Sequence, residues 1–456
     1  MNDLLVVIIG LSIILYIFLV LGTARLAIQK NLNSILLSAI AAILPILVIY
    51  IFADLENIFS SVGIALLFPI ITFFYALTNK GENVDHTLEK SFFKDTVMEL
   101  TQPFVDLSNT STALVGLNLS YVLEGLTYFG VVGLLAIFFN EYIKLDDIDA
   151  GRMVGVLTAG ITIAMLFLGA TVDWIGLRKS MLIALSLMLV GRIFLTISPE
   201  IGVPGLWGSA HLFSMLGIFG IILGYGIYQP ACYAGVKELT DEKTSAMGYA
   251  MLYALMNLGG FLPGIISPPV RKSFGITGVF WVYAALTVVG IGAVYFIITK
   301  KAMQKAKADL ALDSNKPEEV DEMAEMSAKE KLVYYIKNFP LRDLRFLYFV
   351  FILIFVQTLF AHNWLTIPQY TSRAFDGFVG DNFEFFVNLN PILIFILTPM
   401  VTALTAKRDT YNMMIIGTAV MAAPTFILAL GPSFNTLMAY LIIMTIGEAM
   451  WQPRFL

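Results

Sequence analysis

Apolar runs of about 20 residues recur from Leu4 to the last residue of this chain, and no other feature constrains its fold as strongly. A helix rises about 1.5 Å per residue, so one such run spans the roughly 30 Å hydrocarbon core of a bilayer. By that ruler helices are predicted near 4–24, 34–53, 58–78, 111–140, 152–172, 180–198, 210–233, 246–268, 275–299, 345–366, 384–405, 411–430 and 437–456. Charged residues make up only 13% of the 456 positions, against roughly 25% in soluble domains. The solvent for most of the chain is therefore lipid, and the expected fold class is an all-α polytopic membrane protein.

Several chemistries are excluded early. Cys232 is the only cysteine, so no internal disulfide framework or cysteine metal cluster is available. His86, His211 and His362 are far apart and show no metal-ligand spacing. No metal site and no cofactor is expected. No basic stretch interleaved with aromatics points to nucleic acid. The first residues, Met1-Asn2-Asp3, lack the basic region of a secretory signal.

Loop charge sets the orientation, because cytoplasmic loops are rich in Lys and Arg. Arg25 and Lys30, Lys80 with Lys90 and Lys94, Arg178 and Lys179, the Lys300–Lys331 region, and Lys407 with Arg408 fall on one side. Asp54 with Glu56, and Glu141 with Asp146, Asp147 and Asp149, fall on the other. An N-terminus outside, with odd-numbered loops inside, fits all but Arg271-Lys272, which lie in a loop assigned outside. A multi-pass protein of the cell (inner) membrane is expected.

The chain also repeats itself. Residues 224–230 read Gly-Tyr-Gly-Ile-Tyr-Gln-Pro and residues 447–453 read Gly-Glu-Ala-Met-Trp-Gln-Pro, each late in an inward-running helix. Between them lies the one long hydrophilic insert after the first hundred residues, expected to be a partly helical cytoplasmic linker. The organisation predicted is extra N-terminal helices over 1–110, a six-helix half over 111–300, a linker over 301–344 and a second half over 345–456. The second half reaches only its fourth helix at Leu456, which leads to the expectation of a fragment or a C-terminal truncation. Two halves related by an axis along the membrane normal, with a site between them, characterise one transporter architecture.

Between the fifth and sixth predicted helices stands Gly169-Ala-Thr-Val-Asp173-Trp-Ile-Gly176-Leu-Arg178-Lys179. This stretch resembles the cytoplasmic loop motif of the major facilitator superfamily. The resemblance implies that Gly169, Asp173, Gly176, Arg178 and Lys179 form a close turn and charge network that stabilises one conformation. Within that superfamily, Tyr121-Val-Leu-Glu124-Gly-Leu-Thr-Tyr128-Phe129-Gly130 resembles the first helix of the proton-dependent oligopeptide transporter (POT/PTR) family. Gln357 and Gly447-Glu448 also look like that family, over about 111–456. The departures are Tyr121 for a Glu, Gly125 for an Arg, and Gln229 for a Lys.

A charged side chain at mid-membrane costs several kcal/mol and is a functional candidate by default. Glu124 and Glu448 lie inside apolar helices, without the cations that the peptide family would place beside them. A desolvated carboxyl resists ionisation and a neighbouring cation reverses that, so both are candidates for proton coupling. The resemblance gives Glu448 a second role, holding an amine on the solute; a plain hydrogen bond between helices is the third. Arg192, at mid-helix, pairs with one of these glutamates or acts as a structural tie. Tyr128, Tyr225, Tyr228 and Trp451 would supply walls with polar tips. Gln229, Gln357, Gln452, Asn118 and Asn257 are uncharged candidates for solute contacts, and Pro230 and Pro453 would kink their helices. His362 reads as interfacial.

The expected function is secondary active transport of a small solute by alternating access, as proton symport of a peptide-like or amine-containing solute. The alternatives are a proton-antiport exporter and a non-transporting sensor of the same fold. A membrane enzyme would need a clustered catalytic constellation, and none is visible. The partners expected are the solute, protons and lipid; oligomeric state is not specified by any motif.

Overall fold

A computed structural model describes residues 111–240, 245–313, 342–405 and 408–455, with isolated positions elsewhere. The three helices predicted before residue 80, and most of the linker beyond 313, lie outside the described residues.

The first half comprises α1 (Thr112–Glu141), α2 (Asp147–Leu168), α3 (Thr171–Ile175), α4 (Leu177–Ile197), α5 (Ser209–Leu239), α6 (Ser245–Phe261) and α7 (Pro263–Ile297). A helix α8 (Lys300–Asp313) opens the hydrophilic insert and is tied beneath α5 by Lys307 to Glu238 at 2.7 Å. The second half comprises α9 (Leu344–Leu365), α10 (Ile367–Ala374), α11 (Gly377–Asp381), α12 (Phe383–Val387), α13 (Leu389–Thr405), α14 (Thr410–Ala422), α15 (Thr425–Leu428) and α16 (Phe434–Phe455). Eight helical spans among the described residues are long and apolar enough to cross a membrane.

Helix starts follow local chemistry. Side chains of Ser111, Asp146, Asp343 and Asp409 each accept a backbone N–H of the first turn, satisfying donors that the helix leaves open. Asp146 therefore starts α2 at Asp147, five residues before the hydropathy onset at 152. The run predicted as 384–405 is two helices, broken at Asn388. Gly275 divides α7 with φ +70°, a conformation that favours glycine. A Cβ there would also lie 2.4 Å from the Tyr142 hydroxyl. The chain folds back at that point: Ser267 and Tyr283, eight residues to either side, bring their hydroxyls to 2.6 Å.

The two copies of the repeat do the same packing job. A Cβ on Gly224 would meet the carbonyl oxygen of Ala184 at 2.7 Å and the amide nitrogen of Met188 at 3.1 Å. A Cβ on Gly447 would meet the Gly417 oxygen at 2.7 Å and the Met421 nitrogen at 2.3 Å. Each glycine thus lets one helix, α5 or α16, lie backbone to backbone on its neighbour, α4 or α14. Small residues at helix contacts serve this purpose in membranes, where apolar burial alone does not drive helices together.

Candidate functional site

Glu124 on α1 and Arg192 on α4 are each 2% exposed and form a two-pronged ion pair. Arg192 Nη1 donates to Glu124 Oε2 at 3.0 Å, and Nη2 donates to Oε1. Nη1 also donates to Thr287 Oγ1 on α7 at 2.5 Å. The Tyr225 hydroxyl, from α5, donates to the Glu124 carbonyl at 3.5 Å. Four helices therefore converge on one pair of compensated charges. The counter-ion of Glu124 comes from α4, 68 positions along, and not from its own helix. Arg192, left open between partner and tie, is the partner of Glu124.

Glu448 on α16 is 1% exposed and its surroundings differ. Asn390 Nδ2, on α13, donates to Glu448 Oε2 at 2.8 Å and to Thr445 Oγ1 at 3.0 Å. No cation touches Glu448 among the described residues. Tyr253, on α6, packs with Ala449 and Ile394, with its hydroxyl buried. Glu448 thus lies at a boundary where α6 of the first half meets α13 and α16 of the second.

The aromatic candidates gather around α1 and α5. Tyr128 and Tyr225 have ring centres 4.8 Å apart, and Tyr228 shares a hydrogen bond of 2.7 Å with Ser120. Gln229 Nε2 donates to the Tyr121 hydroxyl at 3.0 Å. Trp451 is buried and Gln452 half-buried. Gln357 is not brought to this group: it is exposed on α9, and no described contact joins it to either glutamate. His362 is exposed, bonded to Thr366 at 3.0 Å.

At the turn between α2 and α4, Gly169 caps α2 and Gly176, at φ +81°, turns the chain into α4. Arg178 donates from Nη2 to the Tyr295 carbonyl at 3.0 Å and lies 5.1 Å above that ring. The basic end of this turn is thereby fastened to the C-terminal end of α7, while Asp173 and Lys179 are exposed.

At the other end of the bundle, charges that the sequence analysis did not place in the site join the halves. Arg271 on α7 forms a bidentate pair with buried Glu384 on α12 and donates to the Asp381 carbonyl at 2.8 Å. Lys272 donates to Asn382 Oδ1 at 3.0 Å. Arg373 on α10 holds both oxygens of Asp147 at 2.8 Å and Asn140 Oδ1 at 3.1 Å. These bonds account for the misplaced Arg271-Lys272: the charges are taken up by the other half. The signal in the sequence was that exception itself, together with a lone Glu384 at the head of an apolar run. A cavity of about 420 Å³ lies among these residues. Deeper in, the rings of Phe129 and Trp364 meet at 4.8 Å, so the two halves touch there as well.

The description of the Major Facilitator Superfamily matches residues 117–455. The chain belongs to the Major Facilitator Superfamily. It is a multi-pass integral membrane transporter of that superfamily, and its fold resembles the POT/PTR peptide transporters. A bacterial homologue of the human drug peptide transporters PepT1 and PepT2 superposes with a TM-score of 0.56 at 18% identity, over 74% of this chain and 81% of its own. A structure described under substrate recognition in proton dependent oligopeptide transporters gives 0.56 and 18%, over 75% and 82%. A POT family transporter in complex with 5-aminolevulinic acid gives 0.54 and 17%, over 75% and 82%. At these identities the likeness is one of fold. Comparison with curated protein sequences finds no match.

Proposed function

We propose that this superfamily member moves a small, amine-containing solute across the cell (inner) membrane by alternating access coupled to protons, with Glu448 as the ionisable centre. The observation that carries this reading is a fully buried carboxyl whose one described partner is a neutral amide, at the boundary between the two halves. An uncompensated charge in such a place costs several kcal/mol, so the group binds a proton or a cation. Glu124, already neutralised by Arg192, is assigned to the frame of the first half rather than to coupling. Tyr253, Asn390 and Asn257 are the proposed uncharged contacts around the solute's amine, and the Tyr128–Tyr225 pair a proposed aromatic wall. Arg178 and the Gly169–Gly176 turn are proposed to steady the inner end of the first half. The fold shared with proton dependent oligopeptide transporters supports a peptide-like solute and proton symport, while the missing cations favour a solute recognised through its amine alone.

Counterflow in proteoliposomes tests transport without any imposed gradient. Vesicles loaded with unlabelled phenyltrimethylammonium or dialanine, diluted into trace labelled compound, should show transient accumulation of at least one of them. Glu448→Gln should abolish it. Full counterflow by that variant would remove Glu448 from the mechanism, and binding without counterflow would favour the sensor reading.

A further inference from the structure

We infer that the cavity of about 420 Å³ between the halves binds a small amine with an apolar body, and that its occupant clamps the halves together there. The binding claim stands by itself; the effect on transport rests on the alternating-access reading.

The cavity takes its lining from both halves. Glu141 at the end of α1, with Arg271 and Lys272 of α7, forms one side. Arg373 of α10, Asp376 and Asp381 form the other. Phe375 and Phe383 supply an apolar floor, 9% and 3% exposed, and the Arg271 guanidinium lies 4.9 Å from the centre of the Phe383 ring. The volume falls among pockets that bury small ligands, roughly 300–1,000 Å³. A hydrophobic floor beneath a charged rim selects a molecule with an apolar body and a charged end.

The rim decides the sign of that charge. Its cations are already engaged. Arg271 holds Glu384 through both carboxylate oxygens, Arg373 holds Asp147 in the same way, and Lys272 donates to Asn382 Oδ1. Glu141, Asp376 and Asp381 stand exposed at the same rim as carboxylates. With the two carboxylates that the arginines hold, five acids face three cations, an excess that attracts a positive ligand. An ammonium group takes the exposed carboxylates and leaves both arginine pairs intact. A carboxylate ligand has to compete with Glu384 and Asp147 for the guanidiniums.

The site is whole only while the halves meet. The Arg271–Glu384 and Arg373–Asp147 pairs each cross from one half to the other, and so does the lining. Parting the halves at this end divides the cavity and takes Glu141 away from Asp376 and Asp381. A ligand that binds one of two states shifts the equilibrium toward it by its differential affinity. For a ligand that binds this state alone, the shift is about 100-fold at 100 times its Kd. Alternating access requires this end to part in each cycle. The occupant therefore slows transport from a site that does not include Glu448.

The test uses two probes with one apolar body, phenethylamine and 3-phenylpropionate. Ser372 lines the cavity and Cys232 is buried, so full-length protein carrying Cys232→Ala and Ser372→Cys reports occupancy through its rate of maleimide labelling. Phenethylamine should slow labelling about tenfold at ten times its Kd, and 3-phenylpropionate at the same concentration should not. Glu141→Gln combined with Asp381→Asn, both at exposed positions, should remove the protection. Glu448→Gln should keep it, which separates this cavity from the central carboxyl. In proteoliposomes phenethylamine should lower the maximal rate of counterflow, and the Glu141→Gln, Asp381→Asn double variant should be relieved of that inhibition. Unslowed labelling with phenethylamine, equal protection by 3-phenylpropionate, or protection that survives the double substitution would overturn the site. Loss of protection in Glu448→Gln would move the amine to the central carboxyl and overturn it as well. Protection with undiminished counterflow would overturn the clamp. A parent that shows protection but no counterflow would uphold the site and remove the transport reading beneath the clamp.

Discussion

Removing one partner of the Glu124–Arg192 pair should cost more than removing both. Each side chain is 2% exposed and the contact uses both carboxylate oxygens. In Glu124→Gln the guanidinium stays buried with its charge uncompensated, a situation that costs about 3–5 kcal/mol. Arg192→Met strands the carboxylate with a similar penalty. The double variant carries no charge, keeps comparable volume, and leaves Thr287 with its own bond to the Tyr283 carbonyl at 2.8 Å. Replacement of a whole buried pair by neutral groups is often close to neutral for stability, so the double variant should lie within about 2 kcal/mol of the parent. The assay is a double-mutant cycle on reversible unfolding in mixed detergent–SDS micelles, followed by circular dichroism. It should give a coupling energy of several kcal/mol. Additive losses, with the double variant the least stable of the four, would refute the account of Glu124 as a compensated structural group.

Three other outcomes follow from the packing. Gly447→Ala should destabilise by about 1–3 kcal/mol, because its Cβ meets the backbone of Met421 rather than a yielding side chain; unfolding in the same micelles measures it. Gly130→Ala should displace the Tyr283 ring, whose atoms lie 2.2–2.4 Å from that Cβ, and break the Ser267 hydroxyl bond, read as a shift in Tyr fluorescence and lowered melting temperature. Glu384→Gln should open the outer side: in a Cys232→Ala background, a cysteine introduced at Ser372 should react faster with a membrane-impermeant maleimide. Asp147→Asn should change that rate far less, because Asp147 and Arg373 are 56% and 49% exposed and such pairs contribute at most about 1 kcal/mol.

The fold was legible in the chain because lipid imposes one rule on every span: enough apolar residues to cross. The Gly-to-Gln-Pro repeat was legible for a related reason, since Gly224 and Gly447 each admit a neighbouring backbone that no larger residue would allow. What could not be read were the pairings. Glu124 and Arg192 stand 68 positions apart, and Arg271 and Glu384 stand 113 apart. Hydropathy reports how long a helix is and not which way it is rotated or what it faces. For that reason Gln357, a match to the family pattern, turned out exposed, while Asn390 and Tyr253, which match nothing, flank Glu448. The break at Asn388 had a local signal, Asn388-Leu389-Asn390-Pro391, which hydropathy averaged over a 20-residue span conceals.

The most direct test of the central claim is the proton stoichiometry of binding. Phenyltrimethylammonium is added to the detergent-solubilised transporter in weakly buffered solution, and the pH change is recorded with a dye. The account predicts a change of up to about one bound proton per protein molecule at saturation, and none in Glu448→Gln. No change on binding to the parent, or the same change in Glu448→Gln as in the parent, would contradict it.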